Sequence, residues 1–246
     1  MEEIPYRNTK LTIQTIPKGT LLFRMTNNTL NDTRGVPLDD GTRCIIPNFN
    51  VYFYPNPFVM KYAAGKFLGE KLKDRRMHVY ILNNDVKVIK LLLPSKYTRQ
   101  HKGTKRSFIK RCSNVPKGCM PGELGFRDPC LSDTIVEKYP DIVGMTGVAV
   151  YDAYGVNKAL NHKRTLKVRK YFKLAEDAAG TVGIPELVLH PLKKRPSEQV
   201  IVKPTDKLET NYKLLKILSL NEKELIKFMD KHSVYNPETF YYTYTV

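Results

Sequence analysis

Apolar residues in the first quarter of the chain occur in short runs and at alternate positions, a pattern typical of β-strands. The apolar run at 20–24 follows a turn at Pro17-Lys18-Gly19 and predicts a short buried strand. Asn, Asp, Gly and Pro are frequent from 27 to 50, which predicts a loop with a brief strand near 43–46. An aromatic strand is predicted at 51–54.

The spacing of apolar residues then changes. They recur at three- and four-residue intervals over 57–72, which predicts a helix with proline in its first turn. Two β-rich runs follow at 78–82 and 86–93, separated by Asn83-Asn84-Asp85. This arrangement predicts a β-hairpin.

The second half of the chain contains two further apolar runs, at 144–151 and 184–191, and each predicts a strand. The run at 184–191 is apolar enough to lie inside a sheet. Between them, the strongly basic segment 163–173 has an apolar spacing that favours strand and helix equally.

The composition changes after Pro204, where two helices are predicted at 206–218 and 219–232. Ser219 and Glu222 have the spacing of a capping box at the start of the second helix. The tyrosine-rich stretch that follows predicts an edge strand.

Strands followed by a pair of helices, without βαβ alternation, indicate an α+β fold. We expect an α+β domain at 1–200, interrupted by a basic insertion at about 95–131, and a helical pair with a tyrosine-rich tail at 205–246. No apolar run reaches the roughly 18 residues of a membrane span, and Met1-Glu2-Glu3 does not open a secretory leader. We therefore expect neither a membrane span nor secretion.

The cysteines show no close pairs. The chain has four of them, Cys44, Cys112, Cys119 and Cys130, without a CxxC spacing. We expect them to be reduced, in the cytoplasm or nucleus, because a chain of this size folds without disulfides. A metal cluster of Cys112, Cys119, Cys130 and His101 is the alternative, disfavoured because metal sites usually contain tighter ligand pairs. We therefore predict no metal.

Charge is the strongest signal in the composition. The chain has 41 Lys and Arg residues against 24 Asp and Glu residues, a formal net charge of +17. Such a surplus attracts polyanions and predicts contact with nucleic acid or with an acidic protein surface. The candidate nucleic-acid-binding residues are Lys105, Arg106, Lys110, Arg111, Lys167, Arg169 and Lys170. Interleaved aromatic residues such as Phe108 and Tyr171 could stack on bases, and the alternative is ordinary solvated surface with aromatic residues in the core.

Arg24 is the first candidate for a ligand-binding site. A charge at the end of a buried strand requires an anion or a carboxylate. The carboxylate of Glu186, at the beginning of a late apolar strand, is one candidate partner. The pair would then be a structural ion pair, whereas an open groove between the two groups would be a ligand site.

These segments together resemble the ADP-ribosyltransferase-like fold, in particular members encoded by large DNA viruses. The resemblance is carried by KGTLLFR ending at Arg24, by YF-x-P-x-P followed by a predicted helix containing KYA, and by an apolar strand that opens with Pro185-Glu186. It covers roughly 10–93 and 140–192. It implies split antiparallel sheets and the use of NAD as a substrate without a metal.

The resemblance also implies roles for three residues. Arg24 would bind the pyrophosphate or ribose of NAD, a task suited to a forked guanidinium. Tyr54 would support the nicotinamide-ribose region. Glu186 would bond a ribose hydroxyl and stabilise the cationic sugar as nicotinamide departs.

The second motif lacks a Ser-Thr-Ser string, and Ile184 stands where an acidic residue or glutamine would precede Glu186, so transfer to arginine is not implied. The resemblance and the net charge together lead to two candidate functions. One is transfer of ADP-ribose from NAD to an unknown acceptor. The other is a non-catalytic basic structural or nucleic-acid-binding protein of a viral particle or nucleoprotein assembly, packaged in a virion.

Overall fold

The computed structural model describes residues 2–6, 9–26, 35–47, 49–59, 75–91, 138–149, 163–171, 175–176 and 182–246. This part of the chain is α+β and mostly strand, as the sequence predicts. The basic insertion at 95–131 lies outside the described residues, as does most of the helix predicted at 57–72. No helix in the described ranges is long and apolar enough to cross a membrane.

The strands in chain order are β1 (Glu2–Tyr6), β2 (Thr9–Ile16), β3 (Thr20–Thr26), β4 (Val36–Pro37), β5 (Arg43–Ile45), β6 (Val51–Phe53), β7 (Arg76–Leu82), β8 (Val86–Leu91), β9 (Ile142–Ala149), β10 (Ala175–Glu176), β11 (Val182–Leu189), β12 (Val200–Val202), β13 (Tyr212–Leu218), β14 (Ser233–Asn236) and β15 (Tyr241–Tyr244). The helices are α1 (Pro57–Val59), a 3₁₀ helix (Lys163–Tyr171) and α2 (Glu222–His232). The predicted strands at 20–24, 43–46, 51–54, 144–151 and 184–191 are thus confirmed within a few residues. The basic segment, whose spacing favours strand and helix equally, is a 3₁₀ helix.

The described strands form three sheets. The largest has the order β1-β2-β8-β9-β11-β10, with β6 also paired to β11. A small sheet has the order β12-β5-β4, and a five-stranded sheet has the order β13-β7-β3-β15-β14. Every described pair is antiparallel except β8 with β9.

The predicted hairpin between β7 and β8 is wrong, because the two strands belong to different sheets. β7 pairs with β3 and β13, whereas β8 pairs with β2 and β9. The connecting residues bond to other parts of the chain: Asn83 donates its backbone N–H to the Asn211 carbonyl at 2.9 Å, and the Leu82 carbonyl accepts from Gly19 N–H at 3.0 Å. The chain therefore passes from one sheet to the other at this turn.

The connection between β2 and β3 passes between the same two sheets. Because β2 pairs with β8 and β3 pairs with β7, the four strands form a bent two-stranded ribbon. Gly19 has φ +84° in the turn of one arm, a conformation that glycine adopts without steric cost. The ribbon begins in the large sheet and ends in the five-stranded sheet.

The helix predicted at 206–218 is also wrong, because Tyr212–Leu218 forms strand β13 at the edge of the five-stranded sheet. The helix predicted at 219–232 is confirmed as α2, and its buried residues are Leu225, Phe228 and Met229. Its N-cap is Asn221, whose side chain accepts from Lys223 N–H at 2.9 Å. Ser219 instead bonds to the Glu224 carboxylate, so the predicted pairing of Ser219 with Glu222 is not the cap.

The tyrosine-rich stretch forms the hairpin β14–β15. Its second strand lies inside the five-stranded sheet, where Tyr242 pairs with Leu21, and β14 is the edge strand. Tyr241 is buried, and its hydroxyl lies 3.0 Å from Thr146 Oγ1 on β9. This contact ties the hairpin to the large sheet.

Two hydrophobic cores lie on opposite faces of the five-stranded sheet. The first core includes Leu22 and Tyr80 of this sheet together with Phe53 and Leu187 of the large sheet. The second core includes Phe23 and the apolar face of α2. A smaller cluster around Ile13 and Ile89 covers part of the large sheet.

Candidate functional site

Strand β6 joins the two larger sheets and places the strands of the three NAD-site candidates next to one another. Phe23 of β3 and Tyr54 exchange two backbone hydrogen bonds, at 3.0 and 2.9 Å. Phe53, one residue earlier, pairs with Leu187 of β11. The backbone order is therefore β3, β6, β11, and Arg24 and Glu186 lie on strands separated by a single strand.

Arg24 lies half-buried on β3, directly opposite His78 of β7. Alternation along the strand places Arg24 on the same face as Leu22, which belongs to the first core. In the described part of the chain, the Arg24 guanidinium has no hydrogen-bond or ion-pair partner. It is a half-buried cation that can accept an anion.

The charge of Arg24 affects the pKa of the buried Tyr212. Burial raises the pKa of the Tyr212 hydroxyl well above its ordinary value, with a further contribution from Tyr80, and the positive charge of Arg24 partly opposes this rise. Tyr212 packs edge-to-face against Phe53 and Tyr80, with ring centroids 4.7 and 5.6 Å apart. The guanidinium therefore lies at the border of an aromatic core.

Tyr54 is half-buried and packs against the second core, the face that also contains Phe23. The structure thus places the Tyr54 side chain on the face opposite to that of Arg24 and does not bring the two together. The backbone of Glu186 lies opposite Gly147 of β9 and next to the Leu187–Phe53 pair. The side chain of Glu186 lies outside the described part.

Three of the basic candidates lie on the 3₁₀ helix, and the other four lie outside the described residues. Lys167 and Arg169 are exposed on the 3₁₀ helix. Lys170 is engaged instead, with its Nζ 2.7 Å from Asp230 Oδ1 of α2. This bond raises the pKa of Lys170 and lowers the pKa of Asp230. The candidates Lys105, Arg106, Lys110 and Arg111 lie outside the described residues.

Tyr171 fixes the end of the 3₁₀ helix. Its hydroxyl donates to Asp230, and its carbonyl accepts from Asn56 Nδ2 at 3.0 Å. The ring stacks on Phe58, with centroids 4.9 Å apart. Burial, assisted by the bond to Asp230, raises the pKa of Tyr171 to about 12. Tyr171 is therefore held by packing and hydrogen bonds and is not presented to bases.

A buried polar centre surrounds His190, for which the sequence identifies no partner. His190 Nδ1 accepts from Leu192 N–H at 3.2 Å, and Nε2 lies 3.3 Å from the Ile46 carbonyl. The buried Arg195 donates to the carbonyls of Ile142 and Pro47 at 3.0 and 2.8 Å. Burial lowers the pKa of Arg195 to about 10. This centre joins several segments through neutral acceptors, and we interpret it as structural.

The prediction that the cysteines are reduced is wrong for Cys44. It is buried in β5 and is disulfide-bonded, and its partner lies outside the described residues. The alternative metal cluster of Cys112, Cys119, Cys130 and His101 also falls outside them. Within the described ranges, no group of three or more His, Cys, Asp or Glu residues could hold a metal ion.

His78 is the neighbour of Arg24 that sequence reasoning misses. It is 2% exposed and has no distinctive motif around it. Only the pairing of β3 with β7 places it beside Arg24.

A search of protein-family models, of curated proteins and of solved structures finds no match to the chain.

Proposed function

We propose that this chain is an ADP-ribosyltransferase-like protein that binds NAD at the face of β3 carrying Arg24 and transfers ADP-ribose to an acceptor. The observation that carries the proposal is the half-buried Arg24 guanidinium without a hydrogen-bond or ion-pair partner among the described residues. A buried charge is costly when it is unpaired. A diphosphate would supply oxygens that match the forked geometry of arginine.

The strand order supports the same proposal. Neighbouring strands are about 4.8 Å apart, so β3 and β11 lie about 10 Å apart across β6. The backbones at Arg24 and Glu186 are therefore within the length of NAD, although Leu187 shares the first core with Leu22, so alternation places Arg24 and position 186 on opposite faces of their strands. Tyr54, on the strand between them, supports the site through the second core rather than through direct contact with Arg24.

The proposed reaction breaks the bond between ribose C1′ and the nicotinamide nitrogen. Nicotinamide leaves with the bonding electron pair as a neutral molecule, and the acceptor forms a new bond to C1′ and releases its proton. Glu186 would stabilise the positive charge that develops on the sugar. No metal is required for these steps.

NAD consumption by the purified chain tests the proposal. Glu186→Gln is expected to lower kcat by about 100-fold or more, because it removes the charge that stabilises the transition state. Arg24→Ala is expected to raise KM, because it removes an interaction with the diphosphate that is present before and during the reaction. Equal background rates in the wild type and both variants would end the enzymatic proposal.

A second candidate function is polyanion contact by a structural or nucleic-acid-binding protein of a viral particle. It is favoured by the exposed Lys167 and Arg169 on a helix whose end is fixed by Tyr171, and by the net charge of +17. Cations on a rigid element can be held against phosphates with little loss of entropy. This function can coexist with the first, because a fold can retain its surface while its cleft changes.

The salt dependence of DNA or RNA binding tests this second function. The double variant Lys167→Gln/Arg169→Gln is expected to reduce the slope of log K against log salt by about one for each phosphate that the protein no longer neutralises. The matched control is Lys203→Gln/Lys207→Gln, which removes the same charge from the exposed turn after β12. Binding that is independent of salt, or an equal reduction in both double variants, would refute a specific role for the 3₁₀ helix.

A further inference from the structure

The first core ends in polar residues at one end of the five-stranded sheet. In β3, Leu22 belongs to this core, and alternation places Arg24 and Thr26 on the same face. In β7, Tyr80 belongs to the core, and its ring centroid lies 6.3 Å from that of His78. The face therefore changes from apolar to polar within two residues of each strand.

The register brings four polar side chains together on this face. His78 lies opposite Arg24, and Arg76 lies opposite Thr26. Directly opposite residues of an antiparallel pair share a face of the sheet. We name this group of Arg24, Thr26, Arg76 and His78 the phosphate corner.

The two arginines of the phosphate corner can reach a common ligand. Arg24 and Arg76 are diagonal neighbours, and such positions lie about 7–8 Å apart, within reach of long side chains. Arg76 is exposed at the start of β7, and Arg24 is half-buried behind it. A ligand can therefore approach from the Arg76 side.

The charge of the phosphate corner is not balanced within the described part of the chain. The described ion pairs involve Lys87, Lys170 and Lys193 and neither of these arginines. Arg76 donates to the Arg75 carbonyl at 3.2 Å, which is a neutral acceptor. Two guanidinium groups on one face without a carboxylate are well suited to the oxygens of a phosphate.

We propose that the phosphate corner binds a diphosphate group, with Arg76 and Arg24 as the charged ligands and with the buried His78 and Thr26 lining the face behind them. This inference rests on the proposed function and extends it, since it adds three residues to the site that Arg24 begins. It concerns the anionic part of the ligand alone. Inorganic pyrophosphate and NAD both contain a diphosphate group. Comparing the binding of the two ligands distinguishes a site for phosphate alone from a site for a dinucleotide.

Isothermal titration of the full chain with inorganic pyrophosphate tests the proposal. The wild type is expected to bind, and Arg76→Gln and Arg24→Gln are each expected to weaken binding about tenfold or more, the usual effect of losing a charge-assisted hydrogen bond. The matched control is Lys213→Gln, which removes one exposed positive charge from β13, at a position opposite Ile81 in the same sheet. Solvent screens the charge of Lys213, so this control is expected to bind nearly as the wild type does.

The outcomes separate the phosphate corner from the transferase function. No binding of pyrophosphate by the wild type, or equal binding by Arg76→Gln and Lys213→Gln, would overturn the phosphate corner. Pyrophosphate binding that depends on Arg76, in a protein that does not consume NAD, would support the phosphate corner and reject the transferase function. NAD consumption with an unchanged KM in Arg76→Gln would support the transferase function and reject the phosphate corner.

Discussion

Gly144→Ala is expected to destabilise the protein by more than about 4 kcal/mol, a large part of the stability of an ordinary domain. Gly144 of β9 pairs with Leu189 of β11. A Cβ atom at position 144 would overlap the Val188 carbonyl oxygen and would lie 2.8 Å from Leu189 Cδ2. A backbone carbonyl in a strand cannot move away as a flexible side chain can, so the two strands would have to separate.

The matched control for this substitution is Gly41→Ala. Gly41 has φ +81°, and an added Cβ would meet nothing within 4 Å. Its expected cost is therefore only the backbone strain, about 1–2 kcal/mol. Urea denaturation of both variants measures the difference, and equal decreases in the free energy of unfolding would show that β9 and β11 do not pack this closely.

Acid is expected to destabilise the protein through His190. Burial, assisted by the charge of Arg195, lowers the pKa of His190 to about 3, whereas the unfolded chain has a pKa near 6.5. Below pH 6.5 the unfolded state binds a proton that the folded state does not bind until about pH 3. The free energy of unfolding therefore falls by about 1.4 kcal/mol per pH unit in this window, or about 2 kcal/mol between pH 6.5 and 5.

The comparison of wild type with His190→Gln isolates this effect, because every other titrating group is common to both proteins. The variant is expected to be less stable than the wild type at pH 7, since it loses the bond from Leu192 N–H to the imidazole. The difference in stability is expected to shrink by about 2 kcal/mol at pH 5. A difference that stays constant between pH 7 and pH 5 would contradict the burial of a neutral His190.

Local sequence predicts strands better than it predicts their partners. The apolar runs that form β3, β6, β9 and β11 are correctly placed because their pattern is a property of each segment alone. The turn at Asn83-Asn84-Asp85 has hairpin composition, but the backbone bonds at this turn lead to Asn211 and Gly19. Those partners are distant in sequence, so composition alone does not identify the passage between sheets.

Strand β13 shows how a local irregularity misleads a prediction from periodicity. The pairing of β13 with β7 shifts register between Leu214 and Lys216, so Leu215 is an extra residue in the ladder. The bulge interrupts the alternation and leaves Leu214, Leu215 and Leu218 at helix-like spacing. The spacing therefore predicts a helix where the sheet has its edge.

The candidate site is partly predictable from the sequence. A lone arginine at the end of an apolar strand indicates a charge that needs a partner, and this pattern alone singles out Arg24. His78 and Arg76 carry no such signal, because the strand that contains them is otherwise ordinary. They become candidates only through the register of β7 against β3.

The position of β15 has a consequence for biosynthesis. Tyr242 pairs with Leu21, and β15 lies between β3 and β14. While the ribosome is still adding the residues between β3 and β15, the edge of β3 at Thr20 and Leu21 is unfilled, although Phe23 on the same edge already bonds to Tyr54, and such open edges recruit unrelated chains. We therefore expect the nascent polypeptide to depend on chaperones until Tyr244 has emerged, and pairing between such remote segments to make spontaneous refolding slow.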